Sequence, residues 1–275
     1  MDVLSRHDTG DAITDANPAP RFERQGSVAL VGAGPGDPEL LTVKAQRLID
    51  AADVVLYDEL VSDAILELLP AAAERIAVGK LKSRHRRTQD EINQALVDHA
   101  RLGKRVVRLK GGDPSLFARA GEELDFLRRH GYEPAIVPGV TAALGCAAAI
   151  GMPLTDRRSS SSVTIVTGQA REGEPAIDWR RHAGPRRTLV VYMGRDNAAA
   201  IVDGLIAGGQ DARTPVAVIA NGTRDDQRVA TGTLAELPAL TQRHDERDPA
   251  LIVIGDVVRL STAWAPAEPA WTAAW

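Results

Sequence analysis

Three groups of residues in this chain have types and spacings that chemistry can use. The first is Gly111-Gly112-Asp113-Pro114, directly after the run Val106-Val107-Arg108-Leu109-Lys110. Two glycines clear side chains from a place where backbone must approach a ligand, and Asp113 offers a carboxylate to a cationic amine. Taken alone, the same residues also describe a tight turn leaving a strand. The second group is Gly32-Ala33-Gly34-Pro35-Gly36-Asp37-Pro38 with Asp58, which lies 22 residues after Gly36 where a ribose-binding acid of a dinucleotide site would stand. Its spacing is G-x-G-x-G, however, and Pro35 removes a backbone donor from where a pyrophosphate would want one. A ligand without phosphates suits this loop, with a nicotinamide or flavin site as the alternative. The third group, Lys80-Leu81-Lys82-Ser83-Arg84-His85-Arg86-Arg87, holds five permanent cations in eight residues. By itself such a run is a solvated loop. Following a strand end, it is placed to receive a small polycarboxylate or polyphosphate through bidentate arginine contacts. No aromatic residues are interleaved with it, which disfavours single-stranded nucleic acid.

Other chemistries lack their residues. Gly79-Lys80 looks like the end of a phosphate loop, but Glu74 stands where the first glycine should be and Leu81 where a magnesium-binding hydroxyl should be. There is no C-x-x-C, H-E-x-x-H or G-x-S-x-G, so zinc and serine-hydrolase sites have no signature, and the six histidines are dispersed. Cys146 is the one cysteine; it reads as a small packed residue. A net charge of −4 argues against a general nucleic-acid binder. No apolar run reaches the roughly 20 residues of a membrane span and no secretion signal opens the chain, so the expected location is cytoplasmic.

The elements that must position these groups follow from the pattern of apolar residues. Hydrophobic residues make up 44% of the 275 but aromatics only 4%, so Val, Leu, Ile and Ala must form the core, as suits a parallel sheet. Short apolar runs predict strands at 28–31, 54–57, 76–78, 106–109 and 135–137, with helices at 39–51, 62–69, 88–102 and 121–130. A second series of strands is predicted at 163–167, 188–193, 216–220 and 251–254. The expected fold is therefore α/β, in two domains. A disordered leader spans 1–24, the first domain 25–138 and the second 139–260, with the break at Pro138-Gly139. A loosely packed tail carrying Trp264, Trp271 and Trp275 occupies 261–275.

Taken in order, several motifs resemble the tetrapyrrole methylases: Val31 to Pro38, Ala52 to Asp58, Val78-Gly79-Lys80, Gly111 to Pro114, Val137-Pro138-Gly139-Val140-Thr141-Ala142-Ala143, Tyr192-Met193-Gly194 and Asn221-Gly222-Thr223. Gly151 to Thr155 and Pro249 to Gly255 agree as well, so the resemblance runs from about Ser27 to Leu260. It implies two lobes, each a mainly parallel or mixed sheet flanked by helices, with the active site in the cleft between them. It implies S-adenosylmethionine as methyl donor, held by Pro35, Gly111, Gly112, Asp113, Leu116, Thr141, Ala142, Met193 and Gly222, with no metal. The implied reaction is two successive methyl transfers to ring carbons of uroporphyrinogen III, giving precorrin-2 for sirohaem- or cobalamin-type products. In that reaction Asp58 matches the proton acceptor and Lys80 the proton donor. Lys82, Arg84, His85 and Arg86 are expected to grip the substrate carboxylates, and the family pattern suggests a homodimer. A methylase acting on a later corrin intermediate is the nearer alternative. The chain departs from the family at Ser115 to Ala120, where relatives read Phe-Ile-Phe-Gly-Arg-Gly. Asp156 and Gln169 replace histidines and Glu59 replaces an arginine, all three expected near the cleft.

Overall fold

A strand buried on both faces must be apolar throughout, and Val28, Ala29, Leu30 and Val31 meet that demand by feeding two hydrophobic layers alternately. In the computed structural model, which describes residues 26–79, 88–170, 173, 176–243, 245 and 247–264, this stretch is the strand β1, Ser27–Gly32. It lies in a five-stranded, all-parallel sheet with β2 (Val54–Tyr57), β3 (Glu74–Ala77), β4 (Arg105–Lys110) and β5 (Ala135–Val137), in the order β3-β2-β4-β1-β5. Val28 and Leu30 face α3 (Gln89–Arg101) and α4 (Ala120–Arg129). Ala29 and Val31 face α1 (Val43–Asp50) and α2 (Asp63–Glu67). Leu30, Leu56 and Leu109 are wholly buried between these layers, each burial contributing about 1.5–3 kcal/mol.

Placement of the helices decides where a ligand fits. β1 and β4 are neighbours, but the helix after β1 covers one face of the sheet and the helix after β4 the other. Their carboxyl ends therefore diverge at a topological switch point, where open α/β sheets form a crevice. The helix predicted over 39–51 is in fact a 3₁₀ turn, Pro38–Leu40, followed by α1, whose first turn is capped by the Thr42 hydroxyl accepting from the Ala45 N–H at 3.2 Å.

The chain then passes through Pro138-Gly139-Val140 into α5 (Ala142–Ala149), which packs on the second sheet. That sheet is mixed. β6 (Ser162–Thr167) and β7 (Arg187–Tyr192) are parallel, whereas β10 (Ala250–Ile254) runs antiparallel between β7 and β8 (Pro215–Ala220), and β9 (Arg228–Thr233) closes the edge in the order β6-β7-β10-β8-β9. α6 (Ala198–Ala207) and α7 (Leu237–Thr241) cover the other face. Strand β9 has no counterpart in the sequence reading: Ala230 alone is buried in it, and Gly232 interrupts the apolar pattern.

The tail also differs from expectation at its start. Ser261 is buried, the Thr262 N–H and hydroxyl both donate to the Ile150 carbonyl at 3.0 Å, and Trp264 packs on the second lobe with the Arg259 guanidinium 5.2 Å from its ring centre. The expected leader, together with Trp271 and Trp275, lies outside the described residues.

Candidate active site

At the switch point the two glycine loops are bonded to each other. The Ala33 N–H donates to the Lys110 carbonyl at 2.8 Å, and Gly34 and Gly112 exchange backbone hydrogen bonds of 3.1 and 2.7 Å. Gly34 and Gly112 adopt φ values of 73° and 70°, a region costly for other residues. Close packing dictates the surrounding glycines. A β-carbon on Gly32 would stand 2.5 Å from the Gly139 nitrogen, and one on Gly111 2.5 Å from the Leu60 β-carbon. At Gly112 an added β-carbon would meet nothing within 4 Å, so this backbone borders open space. The loop 32–37 leads into the 3₁₀ turn and only then into α1, so no helix N-terminus faces it as a dinucleotide pyrophosphate would require.

Asp113 ties the lobes together. One carboxylate oxygen accepts from the Ser115 N–H at 2.8 Å and from the Ser115 hydroxyl, and the other accepts from the Gly139 N–H at 3.0 Å. That second oxygen keeps lone-pair capacity for a cationic ligand. Leu116, half-buried, closes the same turn by donating its N–H to the Asp113 carbonyl at 3.2 Å.

Asp58 follows β2 beside the Gly111 end of β4. Its carboxylate accepts from the Gly111 N–H at 3.2 and 3.3 Å and from the Leu60 N–H at 3.1 Å, with a quarter of the side chain exposed. Backbone donors thus occupy the edge that a ribose diol would need. Behind it lies a group of buried charges: Arg108 and Lys110 on β4 both bond Glu123 of α4, which is wholly buried. Burial, and then the adjacent Arg108 charge, draw the Lys110 ammonium below the usual lysine value.

The second lobe answers with uncharged groups. Thr141 precedes α5, and its hydroxyl shares a 2.6 Å hydrogen bond with the Tyr192 hydroxyl, which also accepts from the Ala143 N–H at 2.7 Å. Burial raises the Tyr192 phenol above its ordinary value. Ala142, half-buried, opens α5 between these contacts. Met193 follows β7 with φ 52° and is exposed, while Phe117 leans its ring on Tyr192 from the first lobe, centroids 5.3 Å apart. Gly222 has no room for a side chain, because a β-carbon there would overlap the Cys146 sulfur. Cys146 itself is buried, its thiol pushed up to about 12 by desolvation.

The lobes also meet at the rim. The Asp37 N–H donates to the Thr223 hydroxyl at 3.1 Å, the Arg224 Nη2 donates to the Leu60 carbonyl at 2.7 Å, and Pro35 abuts Gly145. The described residues other than glycine with positive φ are Phe117, Arg119, Arg186, Met193, Asn221 and Thr223, and four of them, Phe117, Met193, Asn221 and Thr223, lie on loops at this junction. Strain gathered at one place marks a site whose surroundings over-determine it. Nothing in the residue types signalled this, nor the Tyr192 tie or the Arg108–Glu123–Lys110 group.

The structure thus brings Pro35, Asp58, Gly111, Gly112, Asp113, Leu116, Thr141, Ala142, Met193 and Gly222 to loops around one crevice. Lys80, Lys82, Arg84, His85 and Arg86 lie outside the described residues, the chain before them ending at Gly79 beside Glu59. Gln169 follows β6, its N–H donating to the Thr167 hydroxyl at 3.2 Å. Contrary to the expectation for it, Asp156 is not near the crevice. It bonds Ser160 and Arg158 ahead of β6, on the side where β7 begins rather than where Met193 ends it. Among the described residues no three His, Cys, Asp or Glu side chains gather as metal ligands, and no helix is long and apolar enough to cross a membrane.

Comparison with known proteins adds an independent finding. The sequence profile of the Tetrapyrrole (Corrin/Porphyrin) Methylases matches residues 27–238. A siroheme synthase of Pseudomonas fluorescens is 53% identical over 241 residues, 87% of this chain and 52% of its own length; one of Yersinia enterocolitica is 54% identical over 247 residues. The chain spans about half the length of these curated relatives. Among solved structures, uroporphyrin-III C-methyl transferase from Thermus thermophilus, complexed with S-adenosyl homocysteine, is 43% identical with a TM-score of 0.73, covering 86% of this chain and 100% of that one. A cobalt precorrin-4 methyltransferase is 28% identical with a TM-score of 0.75, covering 88% of this chain and 99% of that one.

Proposed function

The chain belongs to the tetrapyrrole (corrin/porphyrin) methylase family, and from that premise we propose that it is an S-adenosylmethionine-dependent C-methyltransferase that methylates uroporphyrinogen III twice to give precorrin-2. The observation that carries this reading is the paired-glycine crevice between two lobes, on a chain similar over its folded length to a uroporphyrin-III C-methyl transferase.

The crevice suits this donor. Pro35 offers no N–H and no helix N-terminus faces the first loop, so nothing there is built for phosphate, while Gly112 leaves bare backbone beside open space. Pro35, Gly111, Gly112, Asp113 and Leu116 would hold the donor from the first lobe, and Thr141, Ala142, Met193 and Gly222 from the second. When bound, S-adenosylmethionine supplies a methyl group already activated by a sulfonium. The protein is left with alignment, exclusion of water and proton handling.

Asp58 is the group to accept the proton that a pyrrole carbon sheds once methylated, and the Gly111 and Leu60 amides hold its carboxylate in one orientation. Exposed Leu60, Phe117 and Met193 provide apolar surface that a macrocycle would cover, drying the site. Lys80 is the proposed proton donor, and Lys82, Arg84, His85 and Arg86 the proposed carboxylate grip. A cytoplasmic homodimer is the setting we propose.

The second reading is methylation of a later corrin intermediate, favoured only by the 28%-identical precorrin-4 enzyme. Incubating the protein with S-adenosylmethionine and uroporphyrinogen III, with mass analysis of the product, separates the two. Addition of two methyl groups is expected; an unmodified macrocycle beside a folded protein that binds S-adenosylhomocysteine would transfer the assignment to the later substrate.

A further inference from the structure

The buried charges behind the crevice are not what a hydrophobic layer requires, since well-packed apolar residues of the same volume commonly serve at least as well. Their placement has a direction. β2 and β4 are parallel with Leu56 opposite Arg108, so Asp58, two residues past Leu56, is brought to the side from which Arg108 and Lys110 project. The Arg108 guanidinium is fixed on several sides. Nε donates to Glu123 at 3.0 Å, Nη1 donates to the carbonyls of Leu109 at 3.0 Å and Leu56 at 3.4 Å, and Nη2 stands 4.0 Å from an Asp58 oxygen. Glu123 is itself immobilised, accepting from Lys110 Nζ at 2.9 and 3.0 Å and from Gln89 at 3.3 Å. A rigid planar fork is therefore clamped from behind, with its remaining corner turned to a carboxylate that is open to the crevice on its other side.

We propose that Arg108 is a positioning residue for Asp58, and that Glu123 with Lys110 forms the buried support that holds its guanidinium in place. The proposal rests on reading Asp58 as the proton acceptor of the methylation. Arg108 then acts on turnover through Asp58 alone, without touching substrate or donor.

A double-mutant cycle on the full chain tests this, with kcat and KM measured for uroporphyrinogen III and affinity measured for S-adenosylhomocysteine. Asp58→Asn should lower kcat by about 10²–10³-fold. Arg108→Gln should lower it about tenfold while KM and cofactor-product affinity stay within about threefold, and the double variant should be no slower than Asp58→Asn alone. Arg108→Gln leaves Glu123 paired with Lys110, so the buried carboxylate is still compensated. Should that variant not fold, Arg108→Lys takes its place in the cycle, since an ammonium cannot hold Glu123 and reach Asp58 together. Losses that multiply in the double variant would overturn the proposal and leave Asp58 standing, as would unchanged kcat in Arg108→Gln. Wild-type turnover in Asp58→Asn would remove the reading of Asp58, and the proposal with it.

Discussion

The two lobes present opposite kinds of surface to the same crevice. The first reaches it with ionised groups: Asp58, Asp113 and, behind them, Arg108, Lys110 and Glu123. The second reaches it with Thr141, Tyr192, Met193, Asn221 and Gly222, none charged at neutral pH and two of them at positive φ, its Arg224 meeting the first lobe at the rim. On the proposed reading, the group that would take the proton, Asp58, follows a strand of the first sheet, whereas loops of both lobes would fit the donor. The difference teaches that in the proposed methyl transfer, from an already activated donor, proton handling would fall to one wall while fit to the donor is shared by both.

The contrast is broken most directly at Asp58. Asp58→Ala is expected to reduce turnover by about 10²-fold or more with S-adenosylhomocysteine affinity, measured by calorimetry, unchanged. An equal loss of donor affinity would show that Asp58 itself bears on donor binding. Next in size is the cationic run: Arg84→Ala with Arg86→Ala should raise KM for uroporphyrinogen III by about 10–100-fold through loss of two charge-assisted contacts, with KM for S-adenosylmethionine near wild type. Equal shifts in both constants would contradict a substrate grip there.

On the second wall, Gly222→Ala drives a methyl into the Cys146 sulfur and should cost about 1–3 kcal/mol of stability. Adding Cys146→Ala removes that sulfur and should restore part of the lost melting temperature, which a purely conformational glycine effect would not allow.

The smallest effect sharpens the comparison from the far end of the first sheet. There Arg105 holds the Asp53 carboxyl down to about 2 through side-chain and backbone hydrogen bonds. A depressed carboxylate contributes stability above its unfolded value near 4, and that contribution fades as pH falls through the folded value. The pair is largely exposed, so Asp53→Asn should cost no more than about 1 kcal/mol at pH 7, with the difference from wild type shrinking as denaturation is repeated at pH values from about 5 down to about 2. Charge is structural at that edge and chemical at the other.

How much of this was legible in the residues themselves differs between the lobes for the same reason. Strands β1 and β2 stand out because burial on two faces makes them apolar almost without interruption. Strand β9, at the sheet edge, is only partly buried on either face, carries Gly232 and gives no such signal. The glycine loops were visible as motifs, since close backbone approach at Gly32 and Gly111 and positive φ at Gly34 and Gly112 favour no other residue. The Arg108–Glu123–Lys110 group was not, because alternating charge in a strand reads as a solvated face until Glu123, 13 residues beyond Lys110, folds back onto it. The misplacement of Asp156 has a related cause. Proximity to a motif along the chain does not say at which end of a strand a residue falls, and Asp156 falls where β7 begins.

Gly139 belongs to neither lobe alone. It sits in the passage from one lobe to the other, yet its N–H is held by Asp113 and its α-carbon is wedged against Gly32 and Gly112. The join is masonry, mortared into both glycine loops, and not a tether. Anyone exchanging the second half of this protein for that of a relative would have to carry over the Asp113 turn as well, because the seam between the halves is built from pieces of each.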